Sequence, residues 1–350
     1  MATIADRDMA SLGGQRDTHP TLAEVAAQAG VSLSTASRAL RPGASVSEET
    51  RRRVRLTARR LGYEPNRLAR SLRTRSSTLV GVIVPDIAIG FYARTVKGAQ
   101  DALERAGYQV VVMNTQREAS HERAALRTLL EHRVDGILLA TSGGFEQPPR
   151  VPVVFFDNLV DGSGTAQVAL ANREGMALLV DHLVGHGHWR IGYVGAPPIA
   201  TSGIERLAGF EQASAAAGLE AAPDYVSLGD EVWSAESGRR AARVLLALRE
   251  PPTGLVAASD TLALGAISAI REAGLRVPED VAVVSFDDPF FGDLIDPPVT
   301  ALQRNERELG ELAASLLLHT LTTGSAGPPT EVRLPVELVV RRSCGCHGMG

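Results

Sequence analysis

Residues 21–40 read TLAEVAAQAGVSLSTASRAL, two short helical patterns joined by a single glycine. Apolar residues recur at helical spacing from Leu22, and Gly30 supplies the permissive backbone of a tight turn. Ser32 is a suitable N-cap for a second helix that runs through Leu40. This arrangement predicts a helix-turn-helix.

The second helix of this motif has an inward and an outward face, and its apolar positions are expected to pack inward. A helix of this kind can enter the major groove of DNA. Arg38 is the strongest candidate for reading bases, because its planar guanidinium can donate two hydrogen bonds to a guanine edge. The motif alone is also compatible with a helical hairpin in another core. The outward face carries Leu33, Ser34, Ser37 and Arg38.

The charge of the chain is divided unevenly and favours the DNA-binding interpretation. Between Pro20 and Arg75 there are twelve arginines and four glutamates, a net charge of +8, whereas residues 76–350 carry 22 basic and 33 acidic groups, a net charge of −11. A cationic segment on a net-acidic protein is what attraction to phosphate requires, and it predicts salt-sensitive binding. A solvated basic face is the alternative.

A third helix is predicted from Ser47 to Gly62, and the basic segment YEPNRLARSLRTRSS follows over residues 63–77. Within this segment Leu68 and Leu72 fall on one helical face. The segment is too short to form a stable helix alone. A helix that forms against DNA, with a leucine in the minor groove and arginines on phosphates, explains this composition. An ordinary basic linker has a similar composition.

Residues 20–75 resemble the head of the LacI/GalR family of bacterial transcription regulators, through TLAEVAAQAGVSLSTASRAL, VSEETRRRV and LGYEPNRLARSL. The resemblance implies that Leu33, Ser34 and Arg38 read the major groove and that Leu72 is the minor-groove wedge. Because Leu33 is apolar and Ser34 is short, direct readout is expected to depend heavily on Arg38. The predicted DNA contacts are Thr21, Leu33, Ser34, Thr35, Ser37, Arg38, Asn66, Arg67, Ala69, Arg70 and Leu72.

From Thr78 onward the sequence changes to short apolar runs separated by helical patterns, such as 93–106, 121–132 and 262–273. Such runs are typical of buried parallel strands. Their alternation with helices predicts a doubly wound α/β fold, and the number of strands indicates two α/β subdomains. The predicted strands are 79–84, 109–113, 136–140, 151–156, 190–194, 254–258 and 281–286.

The family resemblance continues through GVIVPDI, DHLVGHGHWRIGYVG, ERLAGF, ASDTLALGAISAIREAGLRVPEDVAVVSFDD and PPVTALQ, so that it covers nearly the whole chain. It implies an all-α helix-turn-helix head and an α/β body of two doubly wound parallel-sheet subdomains, similar to a type I periplasmic binding protein. Ligand is expected between the subdomains, at the carboxyl ends of the strands, which is also where open α/β sheets generally bind ligands. The resemblance further implies crossings between subdomains near residues 170, 301 and 330.

These considerations predict five regions. Residues 1–19 are a disordered extension, 20–64 the helix-turn-helix domain and 65–77 a hinge helix with its linker. Residues 78–343 form the sensing and dimerisation domain, and 344–350 are a tail. Within the sensing domain, the N-subdomain is predicted at about 78–170 and 302–330, and the C-subdomain at about 171–301 and 331–343.

Five candidate ligand-binding residues lie in the first half of the body. Phe91 and Tyr92 follow the first strand and are expected either to stack on a ligand ring or to cap the subdomain core. Asp157, at the end of the fourth strand, is suited to accept hydrogen bonds from ligand hydroxyls, although a turn residue is the alternative. Arg206 matches the family's ligand-clamping arginine, with Ser202 on the same cleft-facing edge. A surface salt bridge is the competing role for Arg206.

Four more candidates follow. Trp233 matches a position where the family places an aromatic residue against the ligand, and core filling is the alternative. Asp287, at a strand end, is the best candidate for a carboxylate that binds ligand hydroxyls, and Ser259 lies at an adjacent strand end. Arg304 replaces a glutamine that similar regulators often carry. This extra cation favours a phosphorylated or acidic ligand, or pairs with Asp287 or Asp288.

Other classes of protein are disfavoured by the sequence. No apolar run reaches membrane-spanning length, and the polar first nineteen residues do not resemble a secretory signal. Cys344 and Cys346 beside His347 are too few for a structural zinc site. Sequence motifs of phosphate loops, dinucleotide folds, serine hydrolases and zinc proteases are absent. We therefore predict a cytoplasmic bacterial protein without catalytic residues, metal or cofactor.

The combined features predict a homodimeric regulator, most simply a repressor, that binds a palindromic operator through two heads. An aromatic platform with carboxylate, hydroxyl and guanidinium groups suits a sugar or sugar derivative as effector. A regulator co-repressed by a nucleobase or nucleoside stays open, because such ligands use the same stacking groups. A solute-binding protein of a transporter is the alternative from a different class, and the basic head counts against it.

Overall fold

The computed structural model describes residues 20–40, 45–63, 76–143, 149–219, 223–230, 233–325 and 329–345. Residues 20–40 and 45–63 belong to one compact unit, and the described residues from 76 onward belong to a second. Across these ranges, no helix is both long enough and apolar enough to cross a membrane.

The first unit contains the three predicted helices, α1 (Leu22–Gln28), α2 (Leu33–Ala39) and α3 (Glu48–Leu61). Thr21, Ser32 and Ser47 cap their N-termini by accepting hydrogen bonds from backbone N–H groups, which satisfies donors that a helix start otherwise leaves unpaired. The helices enclose a small core whose buried members are Val25, Ala26, Ala29, Ala36, Ala39, Val54 and Ala58.

The second unit, the body, is built on two six-stranded sheets with the same strand order, β2-β1-β3-β4-β5-β11 and β7-β6-β8-β9-β10-β12. Every described strand pairing is parallel except that of β10 with β12. Their bounds are Leu79–Val84, Gln109–Asn114, Gly136–Leu139, Val153–Phe156, Gln167–Leu170, Ile191–Gly195, Val226–Leu228, Gly254–Ala257, Ala282–Ser285, Thr300–Gln303, Glu331–Leu334 and Glu337–Val339 for β1 to β12. The predicted two-subdomain α/β fold and all seven predicted strands are confirmed.

Helices cover the sheets and alternate with the strands, as doubly wound folds require. Those of the first sheet are α4 (Gly90–Arg105), α5 (Ala119–Glu131) and α10 (Glu306–Thr323). Those of the second sheet are α6 (Asn172–Gly185), α7 (Thr201–Ala216), α8 (Ala235–Leu246) and α9 (Asp260–Glu272).

Two of the three crossings between the sheets lie a few residues beyond the predicted positions. Strand β10 pairs with β9, so the second crossing follows residue 303 rather than 301. Strand β11 pairs with β5 and extends the first sheet, so residues 331–334 belong to the N-subdomain and the third crossing lies at 335–336. Cys344, predicted to begin the tail, is buried and accepts a hydrogen bond from Thr300 Oγ1. The body therefore extends at least to Cys344.

Candidate functional site

The outward face of α2 is the candidate DNA-reading surface of the head. Leu33, Ser34 and Arg38 are exposed on it, while Ala36 packs into the core. Arg38 Nε donates a 3.4 Å hydrogen bond to the Ser34 carbonyl, which leaves both terminal nitrogens of the guanidinium without a described partner in the head. This is the arrangement that a base-reading arginine needs before it meets a guanine edge.

Three further predicted DNA contacts lie at the start or along the side of these helices. Thr21 is exposed, and its hydroxyl accepts the α1 capping bond from Glu24 N at 3.3 Å. Thr35 contacts Ser32 through a 2.8 Å hydroxyl pair, and Ser37 is half-buried. The predicted extension 1–19, the hinge residues Asn66, Arg67, Ala69, Arg70 and Leu72, and the tail residues Cys346 and His347 lie outside the described residues.

In the body, the predicted ligand-binding residues follow the carboxyl ends of strands in both sheets. Asp157 follows β4, Ser259 follows β8, Asp287 follows β9 and Arg304 follows β10. Because parallel strands end at one edge of a sheet, loops after neighbouring strands lie side by side. The two sheets thus bring side chains from distant parts of the sequence into one cleft region.

Asp287 is the centre of this region, because two arginines contact its carboxylate. Arg304 Nη1 lies 2.9 Å from Asp287 Oδ1, and Arg206 Nη1 lies 3.3 Å from the same oxygen and 3.4 Å from Oδ2. All three residues are buried. Buried charges require such pairing, because removing them from water unpaired is very costly. Asp288, the other predicted partner of Arg304, instead pairs with Arg341 at 2.7 and 2.8 Å.

Arg206 is fixed by more than its ion pair. Its Nε donates to Asn172 Oδ1 at 3.0 Å, and its Nη1 donates to the Ala258 carbonyl at 2.7 Å. The guanidinium lies 3.8 Å from the ring centre of Phe286 and 5.6 Å from that of Trp233. Stacking on aromatic faces stabilises a buried guanidinium. The predicted surface salt bridge is therefore not the role of Arg206, which is buried in the cleft.

A second layer of polar contacts supports Arg206. Asn172 Nδ2 donates to Glu205 Oε2 at 2.9 Å, and Arg333 on β11 makes two hydrogen bonds to the Glu205 carboxylate, at 2.7 and 2.8 Å. These bonds hold the pKa of Glu205 below its usual value despite its burial. Since β11 belongs to the first sheet and α7 to the second, this ion pair joins the two subdomains.

Arg304 lies at the second crossing and has fewer partners than Arg206. Its guanidinium is 4.7 Å from the ring centre of Phe91, and its Nη2 lies 3.5 Å from Glu306 Oε1. Glu306 also accepts a shorter bond, 2.9 Å, from Arg94 Nη2. Arg304 Nε is fully buried and has no hydrogen-bond acceptor among the described residues. The rings of Phe91 and Trp233 thus lie near the guanidinium groups of Arg304 and Arg206. Stacking of these rings on a ligand stays a prediction.

On the first-sheet side, Tyr92 Oη donates a 2.8 Å hydrogen bond to Asp157 Oδ2. Both side chains are buried, and burial is the main reason that the pKa of Asp157 is raised. Burial, together with the charge of Asp157, raises the pKa of Tyr92 as well. Asp157 also has a φ of +66°, a conformation that few residues other than glycine, asparagine and aspartate adopt readily. Strained residues of this kind are concentrated at functional sites.

Four residues of this region were not predicted as site residues: Asn158, Asn172, Glu205 and Asp260. Asn158 joins the two subdomains, because its Oδ1 accepts from Ser202 Oγ at 3.2 Å and its Nδ2 donates to the Thr141 carbonyl. Asp260 follows Ser259, and its pKa is raised by burial and by the charge of Asp287. Ser259 caps α9 by accepting from Leu262 N at 3.3 Å. Asn158 and Asp260 lie just after apolar strands, and this position was the sequence signal that could have identified them as site residues.

Comparisons with known proteins agree with both parts of the chain. Residues 21–66 match the family of bacterial regulatory proteins called the lacI family, and residues 180–344 match a periplasmic binding protein-like domain. The transcriptional repressor CytR of Escherichia coli K12 is 31% identical over 335 residues, which cover 94% of this chain and 97% of CytR.

Two solved structures are also similar. A Lac repressor dimer bound to operator and the anti-inducer ONPF has a TM-score of 0.83 and 30% identity, and the match covers 93% of this chain and 99% of the repressor. A complex of the transcriptional regulator CelR with cellobiose has a TM-score of 0.69 and 32% identity, covering 93% of this chain and 100% of CelR. The chain belongs to the LacI family of bacterial regulatory proteins, and it is a DNA-binding transcriptional regulator.

Proposed function

We propose that this regulator is a homodimeric repressor whose affinity for a palindromic operator is changed by a small carbohydrate-like effector bound between the two sheets. The observation that carries the proposal is the convergence of Arg206, Asp287 and Arg304 at the cleft in a chain whose head exposes Arg38. One part of the chain thus has groups suited to DNA bases, and the other has groups suited to a polar ligand.

The chemistry of the cleft supports a polyhydroxylated effector. Carboxylate and guanidinium groups exchange hydrogen bonds with hydroxyls, and the half-buried Trp233 offers an apolar surface for a sugar ring. The cellobiose complex of CelR supports the same class for this chain. Asp157, Ser202, Ser259 and Asp287 are the proposed partners of hydroxyls, with Phe91, Tyr92, Trp233, Arg206 and Arg304 around them.

A nucleobase is the second candidate effector, because the aromatic groups of the cleft alone do not distinguish it from a sugar. The polar groups of the cleft favour the carbohydrate. Three carboxylates, Asp157, Asp260 and Asp287, occupy it, and such acceptors suit the many hydroxyl donors of a sugar better than the few N–H donors of a base.

Dimerisation is supported by apolar residues that the body leaves exposed. Phe290, Phe291 and Leu294, in the segment after β9, are 76, 61 and 81% exposed. On β2, at the edge of the first sheet, Val111 and Val112 are also exposed. Large exposed apolar side chains in a cluster are typical of protein interfaces. A second copy is the proposed partner, because two heads are needed to bind two half-sites of a palindrome.

The proposed switch uses the three crossings between the subdomains. An effector that contacts both sheets changes their relative rotation, and residues 65–77 are proposed to transmit that change to the heads. Leu72 in that segment is proposed as the minor-groove wedge. Effector and operator binding must then affect each other equally, typically by about 1 to 3 kcal/mol.

Selection of bound fragments from host genomic DNA tests this function. The purified protein is incubated with fragments at moderate salt, first alone and then with a panel of sugars and nucleosides. We expect a recovered palindrome whose enrichment changes with a sugar, in either direction. Recovery of only random fragments under every condition would contradict the sequence-reading role, and a response to nucleosides alone would favour the second candidate effector.

A further inference from the structure

The guanidinium of Arg304 has an unused hydrogen-bonding edge inside the cleft. Its Nη1 is engaged with Asp287, but the side edge formed by Nε and Nη2 has only the 3.5 Å contact to Glu306, and Nε has no acceptor among the described residues. The Arg304 side chain is 5% exposed. A buried donor without a partner is costly, so such groups in folded proteins commonly mark a ligand position.

The surroundings of Arg304 hold this edge in place. Phe91 supports one face of the guanidinium at 4.7 Å, which limits its rotation. Glu306 is the nearer acid on the open edge, and its stronger contact, 2.9 Å, is with Arg94. Glu306 therefore stays paired when Arg304 is given another anion. A ligand anion that binds this edge of Arg304 therefore leaves no buried carboxylate unpaired.

The charge in direct contact is also unbalanced. Arg206 and Arg304 both contact the Asp287 carboxylate, and Arg304 and Arg94 both contact that of Glu306, so three cations share two anions. Asp157 and Asp260 lie in the same region, and burial raises the pKa of each. No ion pair joins either of them to an arginine within the described ranges. An additional anion would complete the pairing of the three guanidiniums.

We propose that the effector carries an anionic group, a phosphate or a carboxylate, that binds the Nε–Nη2 edge of Arg304 while Asp287 remains paired with Arg206. A planar guanidinium donates two parallel hydrogen bonds to either group, and such charge-assisted pairs are stronger than neutral ones. Arg304 is thus the residue that determines specificity between a neutral sugar and its acidic or phosphorylated derivative. This inference rests on the proposed function and specifies its ligand class.

The test compares neutral sugars with their anionic derivatives on the full-length protein. Binding of glucose, glucose 6-phosphate, glucuronate, ribose and ribose 5-phosphate is measured by calorimetry, and the thermal shift caused by inorganic phosphate is measured in parallel. The proteins are the wild type, Arg304→Gln, Arg304→Lys and, as a control, Arg276→Gln. Arg276 is exposed and pairs with Asp280 on the surface, so it controls for a general loss of positive charge.

We expect an anionic derivative to bind the wild type about 10- to 100-fold more tightly than its neutral parent, the range given by a charged hydrogen-bonding pair. Arg304→Gln should remove this preference, and Arg276→Gln should keep it. Arg304→Lys keeps the charge without the planar edge and should keep only part of the preference. It also preserves the test if the glutamine variant does not fold. Comparison of the sugar phosphates with glucuronate shows whether the anionic group that binds Arg304 is a phosphate or a carboxylate.

If no sugar in the panel binds, inorganic phosphate decides the question. We then expect it to raise the melting temperature of the wild type and Arg276→Gln more than that of the Arg304 variants. Equal shifts in all proteins, or neutral sugars that bind the wild type as tightly as their anionic derivatives, would overturn the inference. A neutral sugar that alters operator binding equally in the wild type and Arg304→Gln would do the same, while leaving the proposed function intact.

Discussion

Asp157 combines burial, a hydrogen bond from Tyr92 and a positive φ. Two substitutions separate the effect of its charge on stability from that of its hydrogen bond. Burial raises the pKa of Asp157 in the folded protein, so the charged carboxylate lowers stability once the pH exceeds that raised pKa. Asparagine keeps an acceptor for Tyr92, carries no charge and tolerates a positive φ. We expect Asp157→Asn to stabilise the protein by about 1 kcal/mol at pH 7.5.

Urea unfolding between pH 4.5 and pH 8 checks this expectation. The advantage of asparagine should be full above the raised folded pKa of Asp157 and should shrink as the pH falls through it, because the wild-type carboxyl then becomes neutral. Asp157→Ala is the contrasting variant. It leaves the buried Tyr92 hydroxyl without its acceptor and keeps the positive φ, so it should destabilise by about 2 kcal/mol. An asparagine advantage that grows at low pH would refute the explanation.

Arg38 is the residue on which sequence reading by the head is expected to depend. Replacing Arg38 with alanine should cost about 1 to 3 kcal/mol of operator affinity and reduce the discrimination between operator and random DNA. Arg38→Lys retains the charge without the bidentate fork, so non-specific affinity should stay near that of the wild type while discrimination falls. Fluorescence titrations with operator and scrambled duplexes at one salt concentration check both results. Retained discrimination in both variants would exclude Arg38 as a base reader.

At the level of single residues, the sequence indicated which types of side chain line the cleft better than it indicated which of them contact one another. Arg206 and Asp287 were both predicted at the site, and they are in contact. Their supports, Asn172 and Glu205, were missed because contacts between residues far apart in sequence leave no local pattern. Phe91 was predicted either to stack on a ligand ring or to cap the subdomain core, and its contact with Arg304 was not predicted. A side chain's neighbours depend on how two sheets meet, which spacing along one strand or helix does not encode.

In each subdomain, two helices cross with their backbones in close contact at glycine residues. At the crossing of α4 and α10, a Cβ added at Gly310 would lie 1.9 Å from the Thr95 carbonyl oxygen, and one at Gly98 would lie 2.1 Å from that of Arg307. At the crossing of α8 and α9, Gly265 is equally close to the backbone of Ala235. The backbones touch directly, so neither crossing has room for a methyl group.

We therefore expect Gly310→Ala to lower the free energy of unfolding by about 2 kcal/mol, because the two helices must separate to admit the methyl group. Gly185→Ala is the matched control. Gly185 is also helical, and an added Cβ there meets open space. Alanine should be neutral there or stabilise by up to about 1 kcal/mol through its higher helix propensity. Denaturant unfolding of both variants measures the difference, and equal effects would show that the close crossing does not limit the packing.

At the level of elements, strands that lie in the clearest apolar runs of the sequence were predictable, and five short strands containing polar residues were not. The seven predicted strands contain apolar runs that are typical of a buried parallel sheet. The five missed strands, β5, β7, β10, β11 and β12, are three or four residues long, and each includes at least one polar residue, such as Gln167 or Glu337. The pairing of β11 with β5 follows a crossing of the chain between the sheets, and it places residues 331–334 in the first sheet, beyond the predicted subdomain boundary at 330.

For the whole molecule, the decisive question is whether two bodies must associate before the heads can bind. One head offers a single α2 to the major groove, and a palindrome presents two half-sites. The exposed residues Phe290, Phe291 and Leu294 provide a candidate contact between bodies. If association supplies the second head, then weakening this contact should lower operator affinity without changing any residue that touches DNA.

We expect Leu294→Asp to produce monomers at micromolar concentration, because it places a charge in the apolar contact, which a dimer would have to bury. Leu294 is 81% exposed in the single chain, so the melting temperature of the monomer should change little. Trp189→Asp, at a residue 62% exposed elsewhere on the body, is the control and should remain dimeric. Sedimentation velocity measures the mass, and operator titration measures the affinity.

Leu294→Asp should lose operator affinity in parallel with dimer mass, while its weak binding to random DNA persists, since a single head still carries the basic surface. A Leu294→Asp protein that stays dimeric would place the interface elsewhere, and a monomer that binds the operator as tightly as the wild type would separate operator recognition from dimerisation.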